Sequence, residues 1–227
     1  MDSFEKQYYE AESFWAEGMI RDSFNQDRVY TTINLIPPDI KSLADIGCGN
    51  GVFINSLKQV RPELNLIGVD RSLTALKYVQ TEKREADIID LPFENQAFDC
   101  VTSLEVIEHL PLNKFKAALK ELARIARKNI IISVPFNEVL EQAYNKCPQC
   151  KTIFNSDLHL RSFDEKTIEH LLEEEGFKCE VIKKEGLLKK FWGHNLYKKL
   201  FYPEQLLAWH SPVCPICQFS NGHHNPS

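Results

Sequence analysis

The 227-residue chain lacks any apolar run long enough to cross a lipid bilayer as a helix, which takes about 20 residues. It also lacks the pattern of a secretory signal peptide, because residues 1–5 are polar and acidic. Its formal net charge is only −5, so it has no general positive charge for nonspecific binding to nucleic acid, although a local basic surface is not excluded. These absences predict a cytoplasmic protein in a reducing compartment.

The segments that are present alternate between apolar strand patterns and helical patterns, and 43% of the residues are hydrophobic. This alternation predicts an α/β fold with a parallel sheet and helices on both faces. Apolar residues at near-helical spacing from 29 to 36 predict a leading helix. The later elements are predicted as strands at 43–46, 64–70, 86–93, 97–105, 129–135 and 177–183, and helices at 53–60, 111–127 and 162–175.

Three glycines at alternate positions follow the first predicted strand, in the segment Asp-Ile-Gly-Cys-Gly-Asn-Gly that ends at Gly51. Glycine permits positive φ and a close approach that a Cβ would block. The spacing differs from Gly-x-Gly-x-x-Gly, which holds the pyrophosphate of a dinucleotide. Such a turn can hold an adenosyl ligand, with Asp45 facing a cationic amino-acid group. The alternative is a tight strand-to-helix turn without a ligand.

Acidic residues also follow the next two predicted strands. Asp70 ends the second strand, where a carboxylate is placed to accept hydrogen bonds from both hydroxyls of a ribose. Asp87 can accept a hydrogen bond from an exocyclic amine, while Ile88 packs on an adenine face. These positions make an adenosyl site more specific than the glycine turn alone would.

Four motifs, DIGCGNG, GVD, ADIIDLPF with FDCV, and SLEVIEHL, occur in an order that resembles class I S-adenosylmethionine-dependent methyltransferases. The resemblance covers residues 43–182 and points to the methyltransferase type 11 group, which includes ubiquinone-biosynthesis-type enzymes. It implies a Rossmann-like seven-stranded sheet and S-adenosylmethionine as the methyl donor. The donor-site residues that it implies are Asp45, Gly47, Cys48, Gly49, Asp70, Arg71, Asp87, Ile88, Ser103 and Leu104.

Two Cys-Pro-x-Cys segments interrupt this pattern, one with Cys147 and Cys150, the other with Cys214 and Cys217. Each holds two thiolates a short turn apart, so the two segments together can surround one zinc ion tetrahedrally. Disulfides, a redox pair and unrelated buried cysteines are the alternatives. A reducing compartment disfavours disulfides, and neither pair has a thioredoxin context. We expect a structural zinc that holds the C-terminal segment to the loop after the fifth strand.

The groups predicted nearest the donor methyl are Glu105 and His109, at the end of the fourth strand, and His159, beyond the fifth. His109 is predicted to act as a base on the acceptor. The alternative is that Glu108 and His109 only stabilise the strand-to-helix junction.

The same residues resemble a second family, the small-RNA 3′-terminal 2′-O-methyltransferases, in which two Glu and two His hold a divalent metal. That resemblance implies Mg²⁺ or Mn²⁺ at Glu105, Glu108, His109 and His159. The chain departs from that family by placing a cysteine pair just before His159 and by lacking long basic surroundings for an RNA end.

These features together predict an O-methyltransferase for a small-molecule, sugar or lipid-linked acceptor. An RNA 2′-O-methyltransferase and a noncatalytic S-adenosylmethionine-binding module are the alternatives. The predicted organisation is an N-terminal helical cap (1–40), a core (41–184) with a knuckle insertion (136–162), and a C-terminal segment (185–227). Residues 183–202 carry six lysines among apolar residues, which is more typical of a solvated helix face than of peripheral membrane contact.

Overall fold

The structure is a computed structural model, and it describes residues 9–10, 12, 15, 23–184, 214, 216–217 and 219. The α-helices of its continuous part are α1 (Ser23–Leu35), α2 (Val52–Val60), α3 (Leu73–Leu76), α4 (Leu112–Ile125) and α5 (Glu165–Glu174). The strands are β1 (Ser42–Ile46), β2 (Asn65–Asp70), β3 (Glu82–Glu85), β4 (Phe98–Leu104), β5 (Ala126–Ser133), β6 (Tyr144–Lys146) and β7 (Ile153–Asn155). None of the described helices is long and apolar enough to span a membrane.

Strands β1 to β5 form one parallel sheet in the order β3-β2-β1-β4-β5. The predicted α/β fold is therefore confirmed, with five sheet strands among the described residues rather than seven. The chain moves outward from β1 to β3 and then crosses to β4 on the other side of β1. A crevice opens at such a reversal, beyond the carboxyl ends of the strands, and this is where ligands bind in open α/β sheets.

Hydrophobic clusters cover both faces of this sheet. On one face Leu43 of β1 packs with Ile54 and Leu57 of α2 and with Ile36 after α1. On the other face the neighbouring strand positions pack against the apolar side of α4. Successive side chains of a strand point to opposite faces, so a strand between two layers is apolar throughout. This explains why the central strands could be predicted from continuous apolar runs in the sequence.

The third strand lies elsewhere than predicted. β3 occupies Glu82–Glu85, whereas the predicted segment 86–93 is the loop that follows it. All four β3 residues are charged and exposed because the strand forms the edge of the sheet. Charged side chains protect an edge strand from pairing with other chains. A strand made of charged residues has no apolar pattern, so hydrophobicity does not predict it.

Two further predictions in the last part of the core need correction. Residues 177–183 form no strand in the structure, because an apolar pattern alone does not supply a pairing partner. Helix α5 begins at Glu165 rather than at residue 162, because Asp164 caps it: the Asp164 side chain accepts a hydrogen bond from the Thr167 backbone N–H at 2.8 Å. Gly176 follows the helix with φ +85°, as a C-terminal glycine does.

The predicted insertion contains an antiparallel hairpin of β6 and β7. Cys147 and Cys150 lie in its connection. Of the predicted N-terminal cap (1–40), the structure describes residues 9–10, 12, 15 and 23–40, which include α1. Of segment 185–227 it describes residues 214, 216–217 and 219, so the lysine-rich stretch lies outside the described residues except for its first two positions.

Candidate active site

A cavity of about 700 Å³ opens at the carboxyl ends of β1, β2 and β4. This volume is in the range of small-molecule sites. All the predicted donor and catalytic residues except one line it: Asp45, Gly47, Cys48, Gly49, Asp70, Arg71, Asp87, Ile88, Leu104, Glu105, His109 and His159. Ser103 is the exception, because its side chain is fully buried in β4 and does not reach the cavity wall.

The glycine turn after β1 forms one wall with its bare backbone. Gly47 has φ +77°, and a Cβ added there would lie 2.4 Å from Cγ2 of Val106. A Cβ at Gly49, with φ +54°, would lie 2.8 Å from Cζ3 of Trp15. A larger residue at either position would collide with these side chains and would also have to adopt an unfavourable positive φ, so this turn requires glycine.

Asp70 at the end of β2 supports this turn. Its Oδ2 accepts a hydrogen bond from the Gly49 backbone N–H at 2.8 Å, and its Oδ1 accepts one from Ser72 at 2.8 Å. Burial raises the pKa of the Asp70 carboxyl, and these hydrogen bonds oppose the increase. Each carboxylate oxygen has two acceptor positions, so capacity remains for hydroxyls of a ligand.

Asp45 of β1 is a buried carboxyl beside the same turn. It is 2% exposed, and its Oδ1 accepts a hydrogen bond from Thr102 Oγ1 at 2.7 Å. Burial raises the pKa of Asp45 to about 7, the Thr102 hydrogen bond opposes this, and nearby Asp70 adds to it. A cationic ligand group would offset the cost of ionising Asp45, because an opposite charge favours the carboxylate form.

The N-terminal segment contributes two aromatic residues, Tyr9 and Trp15, to the cavity wall. Glu10 joins this segment to the start of α3: its Oε1 accepts from the Leu73 N–H at 3.0 Å and its Oε2 from Thr74 Oγ1 at 2.7 Å. The described part of the segment therefore lies over the donor end of the cavity.

Glu108, His109 and His159 meet beside the cavity, which His109 and His159 line, and Tyr9 Oη lies 3.5 Å from Nδ1 of His109. One metal-binding atom of each lies within 4.8 Å of the others, and the two imidazole centroids are 4.8 Å apart. Glu108 is fully buried, and neither of its carboxylate oxygens has a hydrogen-bond partner among the described residues. Burial, with the charge of Glu105, raises the pKa of Glu108 to about 8. Because an unpartnered buried carboxylate is costly, a cation would fit here.

His109 is better suited to be a ligand than a base. Burial, with a contribution from His159, lowers the pKa of His109 to about 3. An imidazole this weakly basic is a poor proton acceptor near neutral pH. It remains neutral, however, and neutral imidazole is the form that binds metals.

Glu105 lines the cavity but does not join the cluster. Its Oε2 is 3.0 Å from Nη1 of Arg28 in α1, and its Oε1 accepts a hydrogen bond from Ser133 Oγ at 2.8 Å. Its backbone has φ +56°, which turns the chain after β4. Three of the four predicted metal ligands therefore come together, and Glu105 does not.

Three residues around the site were not predicted by the sequence analysis. Arg28 pairs with Glu105, Lys114 Nζ lies 3.4 Å from Oδ2 of Asp87, and Glu138 Oε2 lies 2.6 Å from His159 Nδ1. Glu138 had a positional signal, since it follows β5 at the edge where ligand-binding loops of α/β sheets gather. The other two lie on helices and had none.

The four predicted metal-binding cysteines also come together. Cys147 Sγ is 3.5 Å from Cys217 Sγ, Cys150 Sγ is 3.7 Å from Cys214 Sγ, and none of the four is in a disulfide. A tetrahedron with Zn–S bonds of about 2.3 Å has sulfurs about 3.8 Å apart. Hydrogen bonds from Thr152 contribute most to lowering the pKa of Cys150 to about 6. The spacing fits a closed four-thiolate centre.

The order of the parallel strands and the glycine turn beside the cavity are like those of Rossmann-like class I methyltransferases. Residues 44–134 match the family model Methyltransf_11, described as Methyltransferase domain. The structure is similar to magnesium protoporphyrin IX methyltransferase from Synechocystis PCC 6803 with bound SAH, with a TM-score of 0.61 and 17% identity over 82% of this chain and 94% of that one. This similarity bears on the fold alone. Residues 44–134 thus match a methyltransferase domain, and they lie in a sheet with the fold of the S-adenosylmethionine-dependent class I enzymes.

Two sequence relatives extend this comparison. An uncharacterized protein of Methanocaldococcus jannaschii is 29% identical over 153 residues, which is 63% of either chain. The tRNA (carboxymethyluridine(34)-5-O)-methyltransferase alkbh8 of Xenopus tropicalis is 36% identical over 108 residues, which is 46% of this chain and 16% of the relative. Both matches span less than two thirds of the relative's length.

Proposed function

We propose that the protein transfers the methyl group of S-adenosylmethionine to an acceptor oxygen held beside Glu108, His109 and His159, with Mg²⁺ or Mn²⁺ at that cluster. One observation carries this proposal. Three side chains of metal-binding type converge beside the donor cavity, and Glu108 among them is buried without a hydrogen-bond partner in the described part of the chain. A carboxylate suits both Mg²⁺ and Mn²⁺, and the two imidazoles favour Mn²⁺, the softer of the two ions.

The donor is proposed to lie across the glycine turn. Asp45 and the turn receive the methionine part, Asp70 accepts from the ribose hydroxyls, and Asp87 with Ile88 binds the adenine. The support for this orientation is that Gly47, Gly49 and Asp70 line the same cavity and that Asp70 has acceptor capacity left.

The reaction is a displacement at the donor methyl carbon. The acceptor oxygen forms a bond to this carbon while the carbon–sulfur bond breaks, and the sulfur keeps the electron pair as the neutral thioether of S-adenosylhomocysteine. The hydroxyl proton of the acceptor passes to solvent. When bound, the cation lowers the pKa of that hydroxyl by Lewis-acid polarisation. The chain supplies the alignment of the two reactants, which accounts for much of the rate of such transfers.

We favour a small molecule, or a sugar or lipid on a carrier, as the acceptor, because the net charge of −5 gives little general attraction for phosphates. RNA is the second candidate. It is favoured by the relative named as a tRNA methyltransferase and by the similarity of the Glu108, His109 and His159 set to RNA 2′-O-methyltransferases.

A transfer assay separates these alternatives. Protein treated with EDTA, with its tightly bound zinc retained, is incubated with labelled donor and either the small-molecule and lipid fraction or the total RNA of a host extract, with and without Mn²⁺. Mn²⁺-dependent label in the first fraction supports the favoured acceptor, and label in RNA supports the second. Donor binding without transfer to either fraction would indicate a noncatalytic module. Full activity without Mn²⁺ would contradict the metal.

We also propose one structural zinc ion per chain at Cys147, Cys150, Cys214 and Cys217, since four thiolates leave no open position. Metal analysis should return about one equivalent of zinc, and Cys214→Ser should lose it and expose the C-terminal segment to protease. The matched control is Cys179→Ser, outside the cluster, which should retain zinc. Well-folded wild-type protein without zinc would contradict this proposal.

A further inference from the structure

The loop between β5 and β6 carries a carboxylate for which the proposed reaction has no role. Glu138 Oε2 lies 2.6 Å from Nδ1 of His159, and the two side chains are only 19% and 12% exposed, respectively. In a neutral imidazole one nitrogen carries the proton, and a hydrogen-bond partner determines which one. A carboxylate accepts only, so the proton belongs on Nδ1 and the lone pair on Nε2.

Hydrogen bonds between the β5–β6 loop, which carries Glu138, and the segment after β7, which carries His159, hold these two residues close together. The Asn155 side chain at the end of β7 donates to the Leu140 backbone carbonyl at 3.0 Å and accepts from the Asp157 N–H at 2.9 Å. The Asn137 N–H donates to the Phe163 carbonyl at 2.8 Å. Asn155 therefore joins the loop that carries Glu138 to the turn that carries His159.

The same turn is also tied to the metal cluster. The Leu160 N–H donates to the Glu108 carbonyl at 2.9 Å, which places His159 against His109. The structure thus fixes both ends of a chain of contacts that runs from Glu138 through His159 to Glu108.

The backbone immediately before each member of the pair has positive φ. Asn137 has φ +50° and Leu158 has φ +59°. Asparagine tolerates this region, but for leucine it is unfavourable. Such strain persists only where the surrounding structure imposes it, and it concentrates at functional sites. Each strained position lies directly before a member of the pair.

We propose that Glu138 is a positioning residue that keeps His159 in the Nδ1–H tautomer and directs its Nε2 lone pair at Glu108 and His109. A carboxylate behind a histidine orients metal-binding imidazoles in this way. This proposal rests on the proposed function in one respect only, namely that Nε2 of His159 binds a metal ion. The tautomer itself depends on neither donor, acceptor nor divalent ion.

The tautomer can be measured directly on the full-length, zinc-containing protein. Nitrogen-15 imidazole spectra at about pH 8, where a free imidazole is neutral, distinguish Nδ1–H from Nε2–H, and His159→Asn identifies the His159 signals by their loss. We expect Nδ1–H for His159 in the wild type. Glu138→Ala should shift His159 toward Nε2–H, whereas Glu141→Ala, an exposed acid of the same loop, should not.

The wild-type spectrum is decisive even if Glu138→Ala does not fold. A neutral Nε2–H form, or an imidazolium that persists at this pH, would overturn the proposal, because neither leaves a lone pair on Nε2. A tautomer change caused by Asp157→Ala but not by Glu138→Ala would overturn it too, since Asp157 is the other carboxylate near His159.

A second measurement separates this proposal from the proposed function. Glu138→Ala should weaken Mn²⁺ binding by about 10–100-fold, the usual cost of losing a carboxylate behind a metal-binding histidine, while Glu141→Ala should leave it unchanged. If wild-type protein binds no Mn²⁺, the metal assignment fails, and the tautomer still decides the role of Glu138. If Mn²⁺ binds equally to wild type and Glu138→Ala, the positioning role is contradicted.

Discussion

Two parts of the proposed active site are built differently: the donor end, which is the glycine turn with Asp45 and Asp70, and the acceptor end, which is Glu108, His109 and His159. At the donor end, the glycine turn and Asp70 hold each other through backbone hydrogen bonds, and both oxygens of Asp70 have partners. At the acceptor end, Glu108 is fully buried and has no partner among the described residues. Asp45 and Asp70 thus each accept hydrogen bonds from the protein, whereas Glu108 accepts none among the described residues, a cost that a bound cation would remove.

The two ends also differ in how far apart their residues lie in sequence. The donor wall is built largely on the turns after β1 and β2, which are adjacent parallel strands. The acceptor end combines the turn after β4 with His159 and with Glu138, which is 21 residues from His159. The donor end is thus a local feature of the βαβ unit, and the acceptor end depends on how distant loops pack.

The sharpest separation of the two ends should come from His109→Ala. We expect turnover to fall by about 10²–10⁴-fold, the range for losing help with ionisation of the acceptor, because the cation that gives this help would no longer be held, and we expect little change in donor affinity. Transfer of labelled methyl measures the first quantity, and calorimetry with S-adenosylhomocysteine measures the second. The matched control is His170→Ala, an exposed position of α5 that should behave as wild type. Full activity of His109→Ala on the true acceptor would leave catalysis to positioning alone.

The reverse separation should come from Asp70→Ala. We expect S-adenosylhomocysteine to bind more weakly by about 1.5–3 kcal/mol, because charge-assisted hydrogen bonds to the ribose and the support of Gly49 are both lost. Mn²⁺ binding at the acceptor end should persist. Asp90→Ala, at an exposed position on the loop after β3, is the control for calorimetry. Unchanged affinity in Asp70→Ala would remove the ribose assignment.

The smallest expected effect is on stability, and it tests whether the Glu108 carboxylate lacks a hydrogen-bond partner. The pKa of Glu108 is raised from 4.5 to about 8, so the folded protein retains a proton that the unfolded chain has lost between those pH values. The free energy of unfolding of protein without Mg²⁺ or Mn²⁺, its zinc retained, should therefore fall as pH rises through this interval. Glu108→Gln removes this dependence and should be more stable than wild type by about 1–3 kcal/mol near pH 8.

Thermal unfolding of wild type and Glu108→Gln between about pH 5 and pH 8 checks this expectation. Mn²⁺ should raise the melting temperature of the wild type and not of the variant, because binding to the folded state stabilises it. Parallel pH profiles for the two proteins would mean that Glu108 has a partner, and the contrast between the two ends would lose its basis.

The amino-acid sequence by itself determined the α/β fold and the donor motifs. Buried parallel strands are apolar on both faces, so β1, β2 and β4 were predicted to within one or two residues. The glycine turn, Asp45 and Asp70 were recognisable because their spacing along one βαβ unit already sets their arrangement. The exposed edge strand β3 had no such signal, since its pairing with β2 rather than burial makes it a strand.

Only the tertiary structure decided what happens between distant segments. Glu105 pairs with Arg28, whereas Glu138 contacts His159. Both acids follow strands, and their positions in the sequence do not distinguish these two partners. The tertiary structure also brought the sulfurs of Cys150 and Cys214 to 3.7 Å across 64 residues. Residue type and spacing state which chemistry a side chain offers. The partner that it meets depends on backbone direction and on the packing of loops, which local pattern does not encode.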